Sequence, residues 1–171
     1  MKRTLTTTLV ALALAASTTL AATPGEVRLA IGKVTAAPKG STTFSPVKRG
    51  AILTAGTTIK TGTSSRATVV AGTGSSIRIS PASTVVLERF GTPAGGKANS
   101  PALELKAGTL SALIDRKIEP NSKFQVSTAD GIAAARGTIY AVSKNEKGSY
   151  TKVRRGKINV RAFSKRPGKR R

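Results

Sequence analysis

Catalysis and metal binding depend on a few residue types, and this sequence of 171 residues is poor in them. It has no His and no Cys, and its seven acidic residues are scattered singly. These acids are Glu26, Glu88, Glu104, Asp115, Glu119, Asp130 and Glu146. Most nucleophile–base pairs and zinc sites need His or Cys, and two-carboxylate chemistry needs paired acids. The composition therefore argues against an enzyme, and we expect neither a cofactor nor a metal site.

Arg136 is the charged residue whose setting most needs an explanation, because it lies within the apolar segment GIAAARGTIYAV (131–142). A charge within an apolar segment is tolerated only when it is paired or hydrogen-bonded. One interpretation is a ligand-contacting residue in a pocket. The other is a buried structural residue whose five N–H donors bind backbone carbonyls and fix a turn between strands.

We favour the structural interpretation. In it, Gly137 relaxes the backbone and Thr138 begins the next strand. Asp130 and Asp115 are the candidate acidic partners of the guanidinium. This interpretation predicts that Arg136→Ala lowers the melting temperature well beyond an Arg-to-Ala change on the surface, and equal melting curves would contradict it.

The charge balance is strongly positive. The chain has 29 basic residues and a formal net charge of +22, and without Lys2 and Arg3 the net charge is +20. Such a field attracts polyanions, among them nucleic acid, anionic lipid headgroups and phosphate-rich envelope polymers. Solubility alone requires less charge.

The basic residues concentrate towards the C-terminus, where eleven positive charges and no acid follow from Lys147 onwards. The residues predicted to contact a polyanion or partner are Lys152, Arg154, Arg155, Lys157, Arg161, Lys165, Arg166, Lys169, Arg170 and Arg171. The segment SKRPGKRR (164–171) is predicted to be a disordered basic tail, either simply solvated or attached to polyanions in a salt-dependent, sequence-blind way. Because aromatic residues are scarce and none alternates with the basic run, nucleic acid is the less favoured ligand.

The first 22 residues have the layout of a secretory signal peptide. A basic start is followed by the short apolar run LVALALAA (9–16) and by small residues, with a cleavage site after Ala21 or Ala22. The alternative is an N-terminal membrane anchor, although the run is short for one. We therefore expect export to the periplasm or cell surface of a bacterium, with no disulfide framework.

Residues 23–163 are predicted to form one all-β domain, because Gly and Pro interrupt short segments rich in Thr, Val and Ile. Alternation such as SIRIS (76–80) indicates short antiparallel strands in a sandwich or a solenoid-like roll. We expect turns at AGTG (71–74), KAGT (106–109), EKGS (146–149) and RRGK (154–157), and a mobile loop at 91–102. The predicted strands are Val27–Val34, Ile52–Leu53, Thr58–Thr61, Ala67–Ala71, Ser76–Ser80, Thr84–Phe90, Leu103–Lys106, Thr109–Ile114, Lys123–Ser127, Ile132–Ala135, Thr138–Lys144, Tyr150–Arg154 and Lys157–Ala162.

The ordered series of these segments resembles the FecR-like domain. The resemblance runs from about Val27 to Val160 and ends in the most telling motif, Arg136-Gly137-Thr138. The segments that carry it are VKRGAILTAGTTIKTGTSSRATVV (47–70), GSSIRISPASTVVL (74–87), LKAGTLSALI (105–114), FQVSTADGIAAARGTIYAV (124–142) and YTKVRRGKINV (150–160), the last resembling a closing hairpin.

The resemblance implies an all-β fold and a role in signalling. In sensor regulators of this family, the periplasmic domain passes a signal from an outer-membrane receptor to a cytoplasmic anti-sigma segment through one membrane helix. This sequence shows neither the anti-sigma segment nor the membrane helix, as in stand-alone exported members of the family. It also has Arg154 and Arg155 before Gly156, and Thr57 and Thr73, where the family often has acids, which suggests a different partner.

These features predict an exported, non-enzymatic binding, scaffolding or signalling module of the cell envelope. Its basic C-terminal face is expected to contact an envelope protein or an anionic envelope polymer. The alternative is a polyanion-binding protein, for an envelope polymer or extracellular DNA, whose charge is its whole function.

Overall fold

Short segments rich in Thr, Val and Ile, residue types that suit a pleated surface, form the strands of this protein. The computed structural model describes residues 25–70, 75–89, 101–114 and 123–163. In chain order the strands are β1 (Gly25–Ile31), β2 (Val34–Ala37), β3 (Ser45–Pro46), β4 (Ile52–Leu53), β5 (Thr58–Thr61), β6 (Arg66–Val70), β7 (Ser76–Ile79), β8 (Thr84–Arg89), β9 (Ala102–Leu113), β10 (Phe124–Thr128), β11 (Gly131–Ala135), β12 (Ile139–Asn145), β13 (Gly148–Arg155) and β14 (Ile158–Ala162). The prediction of one all-β domain is confirmed.

Several predicted segments lie outside the described residues. They are the signal peptide (1–22), the turn at 71–74, the basic tail (164–171) and the loop at 91–102 except for its last two residues. In the ranges that the structure describes, no helix is long and apolar enough to cross a membrane.

The strands form one curled sheet that is best described as two layers joined by the long strand β9. Sheet I has the order β4-β1-β6-β7-β9-β12-β13, and sheet II has the order β3-β2-β5-β8-β9-β10-β11-β14. The first half of β9 pairs with β8 and β10, and its second half pairs with β7 and β12. All pairs are antiparallel except β9 with β10.

The inward side chains of both sheets form a single hydrophobic core. In β7 the buried Ile77 and Ile79 flank the exposed Arg78, as the alternation predicted. In β9 the buried Leu103 and Leu105 flank the partly buried Glu104. This alternation of apolar and polar residues buries one face of each sheet and leaves the other in water.

The turn predicted at KAGT (106–109) is wrong, because β9 continues through it. Gly108 has a φ of +86°, which lets the strand bend as it passes from sheet II to sheet I. Ser83 holds this bend, since its Oγ accepts a hydrogen bond from Thr109 N at 2.9 Å and donates towards Thr109 O at 3.2 Å. A glycine whose local sequence predicts a turn thus forms a bend within one strand.

Buried side-chain hydroxyl groups form hydrogen bonds with the backbone at several corners between strands. Thr61 Oγ1 donates to Ser80 O at 2.7 Å and accepts from Ser83 N at 3.0 Å. Ser65 Oγ accepts from Lys33 N at 2.7 Å. Because buried polar groups need partners, these side chains are structural components of the corners between strands.

Two predicted features of the chain path are also wrong. The strand predicted at Val27–Val34 ends at Ile31, because Gly32 has a φ of +73° and the chain then enters sheet II as β2. The closing hairpin does not form, since β13 pairs with β12 and β14 pairs with β11. Gly156, with a φ of +97°, instead connects the two sheets.

Candidate functional site

One edge strand of each sheet lies at the same end of the domain. Among the described strands, β13 pairs only with β12 and β14 only with β11. Large apolar side chains are exposed here, with Tyr150 54% and Val160 60% accessible and Val153 and Phe163 also exposed. Edge strands carry unpaired backbone groups, on which another strand can pair. This end of the domain is defined as β13 and β14 and is called the open end below.

The structure brings the described part of the predicted basic contact set to the open end. Lys152, Arg154 and Arg155 lie on β13, Lys157 directly precedes β14, and Arg161 lies on it, and all five are exposed. The remaining predicted residues, Lys165, Arg166, Lys169, Arg170 and Arg171, lie outside the described residues.

The described basic residues of the open end lie on two faces, not on the single face expected from the sequence. Lys152 lies opposite Ala141 on the outer face of sheet I. Arg161 lies opposite Ile132 on the outer face of sheet II. A partner at the open end would therefore meet positive charge on both sides of the apolar edges.

Between the two edges is a small apolar opening of about 140 Å³. Its inner wall is formed by the buried Val126 and Val142, and Val160 lies at its mouth. The polar side chains of Asp130 and Ser149 also line it. The opening is large enough for one apolar side chain of a partner and too small for an organic ligand.

Asp130 links the sheets at the same end. Its Oδ2 lies 3.2 Å from Lys144 Nζ and accepts a hydrogen bond from Ser149 Oγ at 2.7 Å. Asp130 and Arg136 flank opposite ends of β11, about 20 Å apart along an extended strand. The predicted Asp130–Arg136 pair is therefore wrong, and Asp115 lies outside the described residues.

The expected burial of Arg136 is also wrong, since its side chain is exposed. The buried residue of the motif is Thr138, which is 1% accessible and whose Oγ1 lies 3.1 Å from Arg136 O and 3.0 Å from Lys157 O. Gly137 has a φ of +60°, and a Cβ at Gly156 would lie 2.8 Å from the Thr138 hydroxyl. The glycine and the threonine thus build the turn, and the arginine projects from it.

Arg136 lines a surface cleft of about 620 Å³. Lys123, Lys157 and Asn159 line the same cleft. Phe124, Ala135 and Ile158 are in register across β10, β11 and β14, so the three cations adjoin one another at the ends of neighbouring strands. Only this long-range register brings them together, and no local pattern in the sequence signals it.

The described residues contain no group of three or more His, Cys, Asp or Glu residues that could hold a metal ion. What the site offers is exposed strand edges, apolar side chains and positive charge. The strand order defines the class of the molecule as a two-layered β domain.

The chain belongs to the FecR family. The sequence model described as FecR protein matches residues 57–159. This family is regulatory and associated with the cell envelope. Comparison with curated proteins gave no match.

Solved structures support the fold. The chain is similar to a candidate anti-sigma factor from Parabacteroides distasonis ATCC 8503, in crystal structures at 1.65 and 2.50 Å resolution. The TM-scores are 0.51 and 0.50, both at 16% identity over 61% of this chain. The similar region spans 47% and 46% of those chains, so this chain corresponds to about half of their length.

Proposed function

We propose that this protein is an exported, non-enzymatic module that binds a partner protein in the cell envelope, for signalling or scaffolding. The observation that supports this function most strongly is the open end, where one exposed edge strand from each sheet carries Tyr150, Val153 and Val160. Membership of the FecR family and the similarity to a candidate anti-sigma factor add support for a regulatory role. The signal peptide predicted at 1–22 is the basis for export.

The partner segment that suits this surface is an extended, acidic one. An extended chain adds to a sheet edge through its backbone groups, and its alternate side chains reach the neighbouring surfaces. The charges of Lys152, Arg155 and Arg161 attract acids on that segment. The same charges oppose the pairing of β13 with a second copy of itself, because like charges directly opposite each other are destabilising.

A second candidate function is polyanion binding, in which the domain only carries the charge. It is favoured by the density of cations from Lys147 onwards, a run that contains no acid. Under this alternative, attachment depends on the number of cations and weakens steeply with salt.

Deletion of residues 164–171 separates the two functions. Retention of the full chain and the truncated chain is compared on heparin at moderate salt, and association of both with isolated envelopes is measured in parallel. Protein binding through the open end predicts that truncation abolishes heparin retention and leaves envelope association intact. Loss of both heparin retention and envelope association supports the carrier function and contradicts the protein-binding function.

A further inference from the structure

The cleft at Arg136 has the composition of an anion site. It is lined by Lys123, Arg136, Lys157, Asn159 and Gly156, together with small alanines of β11, and none of its described lining residues is acidic. We propose that it binds the phosphate group of a ligand. This inference goes beyond the protein-binding function and does not depend on it.

The register of three strands determines the spacing of the cations. Lys123 directly precedes β10, Arg136 directly follows β11, and Lys157 directly precedes β14. Since neighbouring strands lie about 4.8 Å apart, the three backbone positions span about 10 Å. Long side chains on such a row can converge on one multivalent anion from three directions.

Thr138 holds two of these positions in place. Its hydroxyl lies within hydrogen-bond distance of both Arg136 O and Lys157 O, the carbonyls of two residues that line the cleft. Gly156 packs so closely that a Cβ there would lie 2.8 Å from this hydroxyl. The backbone that carries the cations is therefore organised before a ligand binds, which lowers the cost of binding.

Phosphate suits this arrangement better than a carboxylate. A phosphate monoester carries a charge between about −1.5 and −2 and three terminal oxygens at neutral pH. Arg136 has five N–H donors and Lys123 has three, so each can bind a phosphate oxygen in addition to the contact that it makes within the protein. Lys157 acts as a further point charge, and the Asn159 amide adds a neutral donor. A carboxylate has one charge and two oxygens, so it would engage fewer of these groups.

The test is a titration of the full domain with inorganic phosphate at constant ionic strength, followed by amide chemical shifts. We expect saturable shifts at the Gly156 backbone amide and the Asn159 side-chain amide. The double variant Lys123→Gln/Arg136→Gln should bind phosphate about tenfold more weakly, as expected for the loss of charge-assisted hydrogen bonds. Lys48→Gln/Arg78→Gln removes the same two charge types elsewhere on the surface and should change binding less than about twofold.

Several outcomes would overturn the proposal. They are equal loss in the two double variants, shifts spread over all basic residues without saturation, and acetate binding as tightly as phosphate. If Lys123→Gln/Arg136→Gln fails to fold, as judged by its melting curve, the single variant Lys157→Gln takes its place with the control Lys48→Gln. Unchanged phosphate binding in Lys157→Gln would then contradict the site.

The source of the phosphate is assigned by a second probe. Sedimentation with phosphatidylcholine vesicles is compared with and without phosphatidic acid, whose headgroup is a phosphate monoester. Binding that requires phosphatidic acid and is lost in the double variant assigns a lipid headgroup. Binding of inorganic phosphate without vesicle binding assigns a soluble or polymer-borne phosphate, and either result upholds phosphate recognition.

Discussion

The hydroxyl of Thr138 lies 3.0 Å from the backbone carbonyl of Lys157, nineteen residues further along the chain. This contact joins the connection between β11 and β12 to the connection between β13 and β14, in a place where the threonine is fully buried. It explains the motif Arg136-Gly137-Thr138 in structural terms. The threonine holds two turns together, the glycine permits the turn, and the arginine is left at the surface.

Thr138→Val should reduce the free energy of unfolding by about 1–3 kcal/mol, because valine keeps the shape and leaves the Arg136 and Lys157 carbonyls without this donor. The measurement is urea unfolding followed by circular dichroism. Thr68→Val on the outer face of β6 is the matched control, since Thr68 is only partly buried. Equal unfolding midpoints for the two variants would show that the Thr138 hydroxyl contributes no more to stability than the Thr68 hydroxyl.

Arg136→Ala should reduce the free energy of unfolding by less than about 1 kcal/mol, as is usual for an exposed charged side chain. The same change at Arg78, which is exposed on β7, is the control. The expected result is two melting temperatures that agree closely. A much larger loss for Arg136→Ala would restore the buried structural role that the sequence suggested.

Gly108→Ala should destabilise the domain far more than Gly50→Ala. Both glycines have a φ near +86° (86° and 85°), so both substitutions carry the same backbone strain of about 1–2 kcal/mol. A Cβ at Gly108 would in addition meet the Ser83 hydroxyl and lie 2.6 Å from Ala82 O, whereas a Cβ at Gly50 meets nothing within 4 Å. Thermal unfolding measures the difference, and equal losses would argue against a tight bend in β9.

Tyr140→Phe should make the protein more resistant to alkaline unfolding. Burial raises the pKa of the Tyr140 phenol above its ordinary value of about 10, so the folded state favours the neutral form. The resulting contribution to stability is complete below pH 10 and is lost as the pH rises above that value. Circular dichroism during an alkaline titration should show unfolding at higher pH in Tyr140→Phe, and identical profiles would contradict this.

Local alternation was sufficient to predict most strands. Ile77 and Ile79 around Arg78 show a period of two, and the structure buries those two isoleucines and exposes that arginine. The same local evidence failed at Gly108, because a glycine with positive φ suits a turn and a bend equally. Ser83, distant in sequence, makes it a bend.

The candidate site was less predictable than the fold. Apolar neighbours in sequence suggested that Arg136 is buried, but its place just after the end of β11 puts it at the surface. Lys123 could not be linked to Arg136, because that link depends on the pairing of β10 with β11. Tyr150 and Val160 could be assigned to strands but not to edges, since the sequence does not state which strands lack a second neighbour.

The central claim, that the open end binds a partner protein, is tested most directly by photocrosslinking in intact envelopes. A photoreactive residue is placed at Tyr150 or at Val160, and as the matched control at Ile52, which is 59% exposed on the edge strand β4. We predict one discrete protein adduct that forms from positions 150 and 160 and not from position 52. Equal adducts from all three positions, or none from 150 and 160 while envelope association persists, would contradict the account.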